Sequence, residues 1–128
     1  MPQSIIASSR ICAFAPTTDA ARARAFYSDT LGLTLVSEDQ YALVFDANGT
    51  MLRVAIVAEL RPHPFTILGW NVADMSAAVS AMNAVGVSFE KYAFLPPDSD
   101  GVMTFPNGDK VAWFKDPDGN TLSIAQHA

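Results

Sequence analysis

An internal repeat constrains this chain more than any other feature. The stretch Asp46-Ala47-Asn48-Gly49-Thr50-Met51-Leu52-Arg53-Val54 lies without gaps over Asp116-Pro117-Asp118-Gly119-Asn120-Thr121-Leu122-Ser123-Ile124, so a polar turn opens a strand twice. The same order of signals precedes each copy. In the first half an extended apolar run, residues 10–14, ends at Pro16 and Thr17-Thr18-Asp19. Asp19 then caps a helix over residues 20–27 that closes at Leu31-Gly32, and strands follow over 33–37, 41–45 and 51–57. In the second half a strand over 65–72 leads to a helix capped by Asp74 and ended by Gly86. Strands over 87–92, 111–114 and 121–125 complete it. One matched turn could arise by chance, but a shared order of strand, cap, helix, glycine and hairpin points to a duplicated βαβββ unit. Matching Asp19 to Asp74 sets Cys12 opposite Ile67, and matching the turns sets Arg53 opposite Ser123. The second copy is the longer: Leu95-Pro96-Pro97-Asp98-Ser99-Asp100-Gly101 reads as a loop and Pro106-Asn107-Gly108 as a turn.

Two such units within 128 residues predict a single α+β domain, with modules at about residues 9–58 and 64–126. Half of the residues are hydrophobic and 16% are charged, which fits well-buried sheet faces and excludes a disordered polyelectrolyte. A net charge of -5 with scattered Lys and Arg provides no footprint for a phosphate backbone, so nucleic acid is not expected as a partner. Apolar runs such as residues 41–45 and 54–57 fall far short of the roughly 20 residues of a membrane span. Residues 1–10 lack the basic start and apolar stretch of a secretory signal. With the single cysteine, Cys12, that composition suggests the cytoplasm.

Taken in order, Asp19, Ala25-Phe26-Tyr27, Leu31-Gly32-Leu33, Trp70-Asn71-Val72-Ala73-Asp74 and Phe114-Lys115-Asp116-Pro117-Asp118-Gly119-Asn120 resemble the vicinal oxygen chelate superfamily. That superfamily holds glyoxalase I, extradiol dioxygenases and bleomycin resistance proteins. The resemblance implies two βαβββ modules whose curved mixed sheets surround a shared cleft, with helices outside, and commonly a homodimer. In metal-dependent members each of four strands supplies one ligand, usually His or Glu, to a divalent cation that polarises neighbouring substrate oxygens.

Carried onto this chain, those four positions are Cys12, Arg53, Ile67 and Ser123. None is His, Asp or Glu, isoleucine has no donor atom, and arginine places a permanent positive charge where the cation would sit. The expectation is therefore no metal and no cofactor. His63 in a Pro-rich link, His127 in the tail, and Glu38, Glu59 and Glu90 near strand ends do not replace the missing set. A slip of one residue would turn each to the opposite sheet face. Cys12 as a nucleophile lacks a histidine partner at a matching position; as a small apolar filler it needs none.

Arg53, flanked by Leu52 and Val54, is expected on the face away from the core, where a guanidinium could hold an anion. Tyr27, Trp70, Tyr92, Phe105 and Trp113 are the candidate aromatic walls, with Ser123 as a hydrogen-bonding group. The leading expectation is a binder of a small organic molecule, resembling the bleomycin resistance branch. The alternative is a glyoxalase-type lyase, isomerase or dioxygenase using a displaced metal or groups such as Glu38 and Tyr92. A dimer with a vestigial cleft is the third reading.

Overall fold

The computed structural model describes residues 4–96 and 99–128. Residues 1–3, within the segment searched for a secretory signal, and Pro97 and Asp98, within the expected loop, lie outside the described residues. The chain divides into two units, Met1–Leu60 and Arg61–Ala128. Both are α+β. No helix among the described residues is long and apolar enough to cross a membrane.

The first unit runs β1 (Cys12–Thr17), α1 (Ala20–Arg24), β2 (Thr34–Glu38), β3 (Ala42–Ala47) and β4 (Thr50–Ile56). Its sheet has the order β1-β4-β3-β2, with β1 and β4 parallel and the other pairs antiparallel. Alternation determines which face is covered. Leu43 pairs with Val54 and Phe45 with Leu52, and all four are at most 1% exposed. Burying each contributes about 1.5–3 kcal/mol. The Asp19 carboxylate accepts the Arg22 N–H at 3.1 Å and starts α1, whose buried Ala23 closes the core together with Tyr27 of the turn that follows, the Tyr27 ring lying 5.8 Å from Phe45.

The helix closes at Leu31-Gly32 as expected, after widening into a π-helical turn, Ala25–Thr30, in which the Leu31 N–H reaches the Phe26 carbonyl at 2.8 Å. One local expectation is corrected in this unit. Strand β1 does not end before Pro16 but continues to Thr17. Proline is tolerated there because β1 is the edge of its sheet and hydrogen-bonds only to β4.

The second unit runs β5 (Thr66–Asn71), α2 (Met75–Ala84), β6 (Val102–Thr104), β7 (Lys110–Lys115) and β8 (Thr121–Gln126), with sheet order β5-β8-β7-β6. Asp74 caps α2 by accepting the Ala77 N–H, and the Gln126 side chain accepts the Met75 N–H at 2.6 Å. Ala112, Phe114, Leu122 and Ile124 form the buried face, with Val79 of α2 and Phe89.

The strand expected over residues 87–92 is reduced to one bridge, Phe89 to Phe114, with the Glu90 N–H on the Trp113 carbonyl at 2.8 Å. The chain then leaves the sheet and returns as β6, inside the stretch expected to be loop and turn. β6 pairs Val102 with Ala112 and completes the same edge of β7. Gly101 marks the return: at φ +84, a Cβ there would stand 3.0 Å from the Glu90 carbonyl oxygen and 3.1 Å from the Phe89 Cβ. The interrupted pairing hides this strand from the periodicity of its sequence.

The two matched hairpins also differ. In the first, Ala47 faces Thr50 across Asn48 (φ 51) and Gly49 (φ 93), a two-residue turn, with the Gly49 N–H on the exposed Asp46 carboxylate at 2.8 Å. In the second, Lys115 faces Thr121, one residue out of step with the sequence match. The buried Asp116 carboxylate fills the longer turn, accepting the Asp118 N–H at 3.0 Å, the Asn120 N–H at 2.9 Å and the Asn120 side-chain amide at 2.8 Å. Asp116→Ala is expected to lower the unfolding free energy by about 2–4 kcal/mol and Asp46→Ala by about 1 kcal/mol or less. Urea denaturation checks this; equal losses would contradict the distinction between the two turns.

Candidate functional site

Arg53 and Ser123 each lie on the face of their sheet opposite the core of their unit. Arg53 stands between buried Leu52 and Val54, and its half-buried side chain lies beside Phe14 of β1 and Val44 of β3 in the pairing register. Cys12, two residues before Phe14, shares this face next to Met51. Phe14 is 60% exposed and Met51 50%, so an apolar surface surrounds the guanidinium. Among the described residues no ion pair or hydrogen bond ties Arg53 down. Its charge is felt by Asp39. The Tyr41 and Ala42 N–H groups, at 2.7 and 3.0 Å, hold the Asp39 carboxyl below its usual range, and Arg53 adds to that lowering.

The second unit repeats the register: Gly69 of β5 lies beside Ser123 of β8 as Phe14 lies beside Arg53. Ile67, two residues before Gly69, is thus the counterpart of Cys12, and it sits at a bulge where the pairing steps from Thr66 to Leu68. Ser123 is 8% exposed. Its Oγ would lie 3.0 Å from a Cβ at Gly69, so the glycine leaves room for the hydroxyl. On the other side Ser123 faces Trp113 of β7.

Trp113 anchors an aromatic cluster. Tyr92 and Phe94 stack on each other at 5.4 Å and 7°, and both meet Trp113 edge-on, at 5.6 Å and 6.3 Å. With Phe65, Lys115 and Thr121 they line a cavity of about 300 Å³. Phe65 is itself stacked on His63 at 5.2 Å. Tyr92 and Trp113 therefore lie together. Trp70 does not join them: it lies one residue from Gly69, on the core side, stacked at 6.3 Å on buried Phe114. Tyr27 is core, and Phe105 belongs to the turn before β7. Phe65, Phe94 and Lys115 were not among the residues singled out from sequence. Lys115 is two positions from Trp113, a signal that alternation carries; Phe94 needs the loop conformation.

Glu38 is paired with Arg24 at 3.0 Å. Burial raises the Tyr92 phenol, and the Glu90 charge raises it further, so Tyr92 stays protonated and can donate rather than abstract a proton. His127 lies between Asn71 and Asp109 near the chain end, and both histidines, His63 and His127, are in the second unit, so Cys12 has no histidine within its own. Glu59 is exposed. A wider groove of about 650 Å³ lines α2 with Ser76, Ser80, Asn83 and Lys110, on the helix side of the sheet.

A sequence model of the glyoxalase/bleomycin resistance protein/dioxygenase superfamily matches residues 11–124. The chain belongs to this superfamily. Among solved structures it is similar to one described as a glyoxalase family protein from Bacillus anthracis, at TM-score 0.74 and 13% identity, covering all of both chains. It is similar to a superfamily member from Sphaerobacter thermophilus at TM-score 0.71 and 19% identity, over 96% of this chain and 100% of that one. A lactoylglutathione lyase from Agrobacterium tumefaciens gives TM-score 0.70 and 17% identity over 93% of each. At these identities the likeness is one of fold. No curated protein matches.

Membership raises the question of the superfamily's divalent metal, and the donors at the equivalent positions do not fit one. Cys12 and Ser123 are the only donor-bearing neutral groups of the four, Ile67 has none, and Arg53 is a fixed cation. Among the described residues no three His, Cys, Asp or Glu side chains gather in a group that could hold a metal ion.

Because its folded value is depressed, Asp39 adds stability that is present above the unfolded carboxylate pKa of about 3.9 and is lost as pH falls through the folded value. Arg53→Met is expected to move the Asp39 titration midpoint upward in carboxyl-detected NMR. An unmoved midpoint would mean that the guanidinium lies elsewhere.

Proposed function

We propose that this chain is a metal-independent member of the superfamily that binds a small organic molecule, with Arg53 anchoring an anionic group of the ligand. The observation that carries the proposal is the setting of Arg53: half-buried beside Phe14 and Val44, without an ion pair or hydrogen bond among the described residues. A guanidinium in such surroundings gains most from a planar anion, which it can hold through two parallel hydrogen bonds. The residues at the metal-ligand positions support binding without Lewis-acid chemistry, and the pairing of Glu38 with Arg24, the raised Tyr92 phenol and the lack of a histidine in Cys12's own unit support binding without acid–base or nucleophilic turnover.

This reading keeps the ligand unchanged, as in the bleomycin resistance branch, and takes the protein as a cytoplasmic homodimer. A glyoxalase-type lyase, isomerase or dioxygenase is the competing class, because one fold hosts both.

Thermal unfolding of the parent and of Arg53→Ala in the presence of phosphate, citrate and small carboxylates tests the anchor. A saturating anion stabilises a one-site protein by about 2.7 kcal/mol at 100 times its Kd. The parent is expected to show such a concentration-dependent rise in Tm and Arg53→Ala to lose most of it. The same rise in both proteins would remove Arg53 from the role.

A further inference from the structure

The aromatic cavity of the second unit goes beyond the Arg53 reading, because it is built from other residues and stands with or without that anchor. Its walls are Phe65, Tyr92, Phe94 and Trp113, and its polar groups are Lys115 and Thr121. Three features make it a site rather than a gap in the packing.

Phe65 and Phe94 remain 58% and 64% exposed although each already leans on another ring, so large apolar faces are held in place and left wet. The backbone is also arranged to put them there. Edge pairing on β7 is interrupted after Glu90, and the segment that leaves the sheet carries Tyr92 and Phe94 onto Trp113 before Gly101 brings it back. The charge on the cavity wall is of one sign. Lys115 follows Trp113 by two residues on the same face, and among the described residues it makes no ion pair, whereas Glu90, whose charge reaches Tyr92, does not line the cavity.

We propose that this cavity binds a planar aromatic compound bearing an acidic group, with the ring against Trp113, Phe94 and Phe65 and the anion beside the Lys115 ammonium. Rings in offset or edge contact with such walls are held by both apolar burial and quadrupole geometry, which an aliphatic compound of equal size does not supply. A ligand cation, which aromatic walls alone would favour, is opposed here by Lys115. At about 300 Å³ the space suits one or two fused rings, the lower end of small-molecule sites.

Calorimetric titration of the full chain with 2-naphthoate tests this, with 2-naphthylmethanol as the uncharged ring and cyclohexanecarboxylate as the aliphatic anion. One-to-one binding of 2-naphthoate, tighter than either control, is expected. Phe94→Ala, a change at an exposed side chain, is expected to weaken it by about five-fold or more. Lys115→Met should weaken 2-naphthoate and leave 2-naphthylmethanol unchanged. Equal affinity for cyclohexanecarboxylate, an unaffected Phe94→Ala, or no saturable binding would overturn the site. Loss on Arg53→Ala but not on Lys115→Met would overturn the assignment of the anion to Lys115. A chain that coordinates a metal but retains this pattern would contradict the metal-independent reading and leave the aromatic site intact.

Discussion

Because Leu52 and Val54 both have to reach the core, Arg53 between them cannot. The same two-residue period puts Trp113 opposite in sense to Ala112 and Phe114, and Ser123 opposite to Leu122 and Ile124. Each unit therefore acquires a second sheet face as a by-product of burying its first. Moving any of these residues to the covered face would shift a whole strand by one register step and expose its apolar set, at a cost of several buried side chains of about 1.5–3 kcal/mol each. The open faces are thus enforced by the cores behind them.

On that enforced surface the two units have diverged. The first presents a guanidinium among Phe14, Val44 and Met51; the second places the buried Ser123, whose hydroxyl fits against Gly69, beside a tryptophan over which a loop has folded two more rings. The divergence extends to the turns, where a two-residue loop at Asn48-Gly49 corresponds to a longer one filled by the Asp116 carboxylate. The two units share the pleat and the order of elements. The chemistry on the open face then followed separate constraints in each half.

What was legible in the sequence was whatever depends on local chemistry. Asp19 and Asp74 announced their helices, Asn48-Gly49 its hairpin, and alternation the placement of Arg53. Residues whose role depends on a partner distant in sequence were not legible. Trp70 falls on the core side beside Ile124, next to Gly69 on the other face, and its packing partner is Phe114, while Phe94 joins Trp113 only through the excursion between Phe89 and β6. Pro16 was misjudged as a terminator for a similar reason, since its tolerance depends on β1 being an edge, a property of the sheet and not of the residue. The strand registers place Arg53 beside Phe14 and Ser123 beside Gly69, as the sequence match of the two halves implies, whereas the bulge at Ile67 leaves that residue without a register partner to compare with Cys12.

On the proposed reading, Cys12, Arg53, Ile67 and Ser123 stand where a divalent metal site would be and form an organic-ligand surface instead. Calorimetric titration of tag-free, chelator-treated protein with zinc, nickel and ferrous ions addresses it most directly. The account predicts no saturable one-to-one isotherm with any of the three ions; a stoichiometric, saturable isotherm lost on substitution of Cys12 or Ser123 would contradict it.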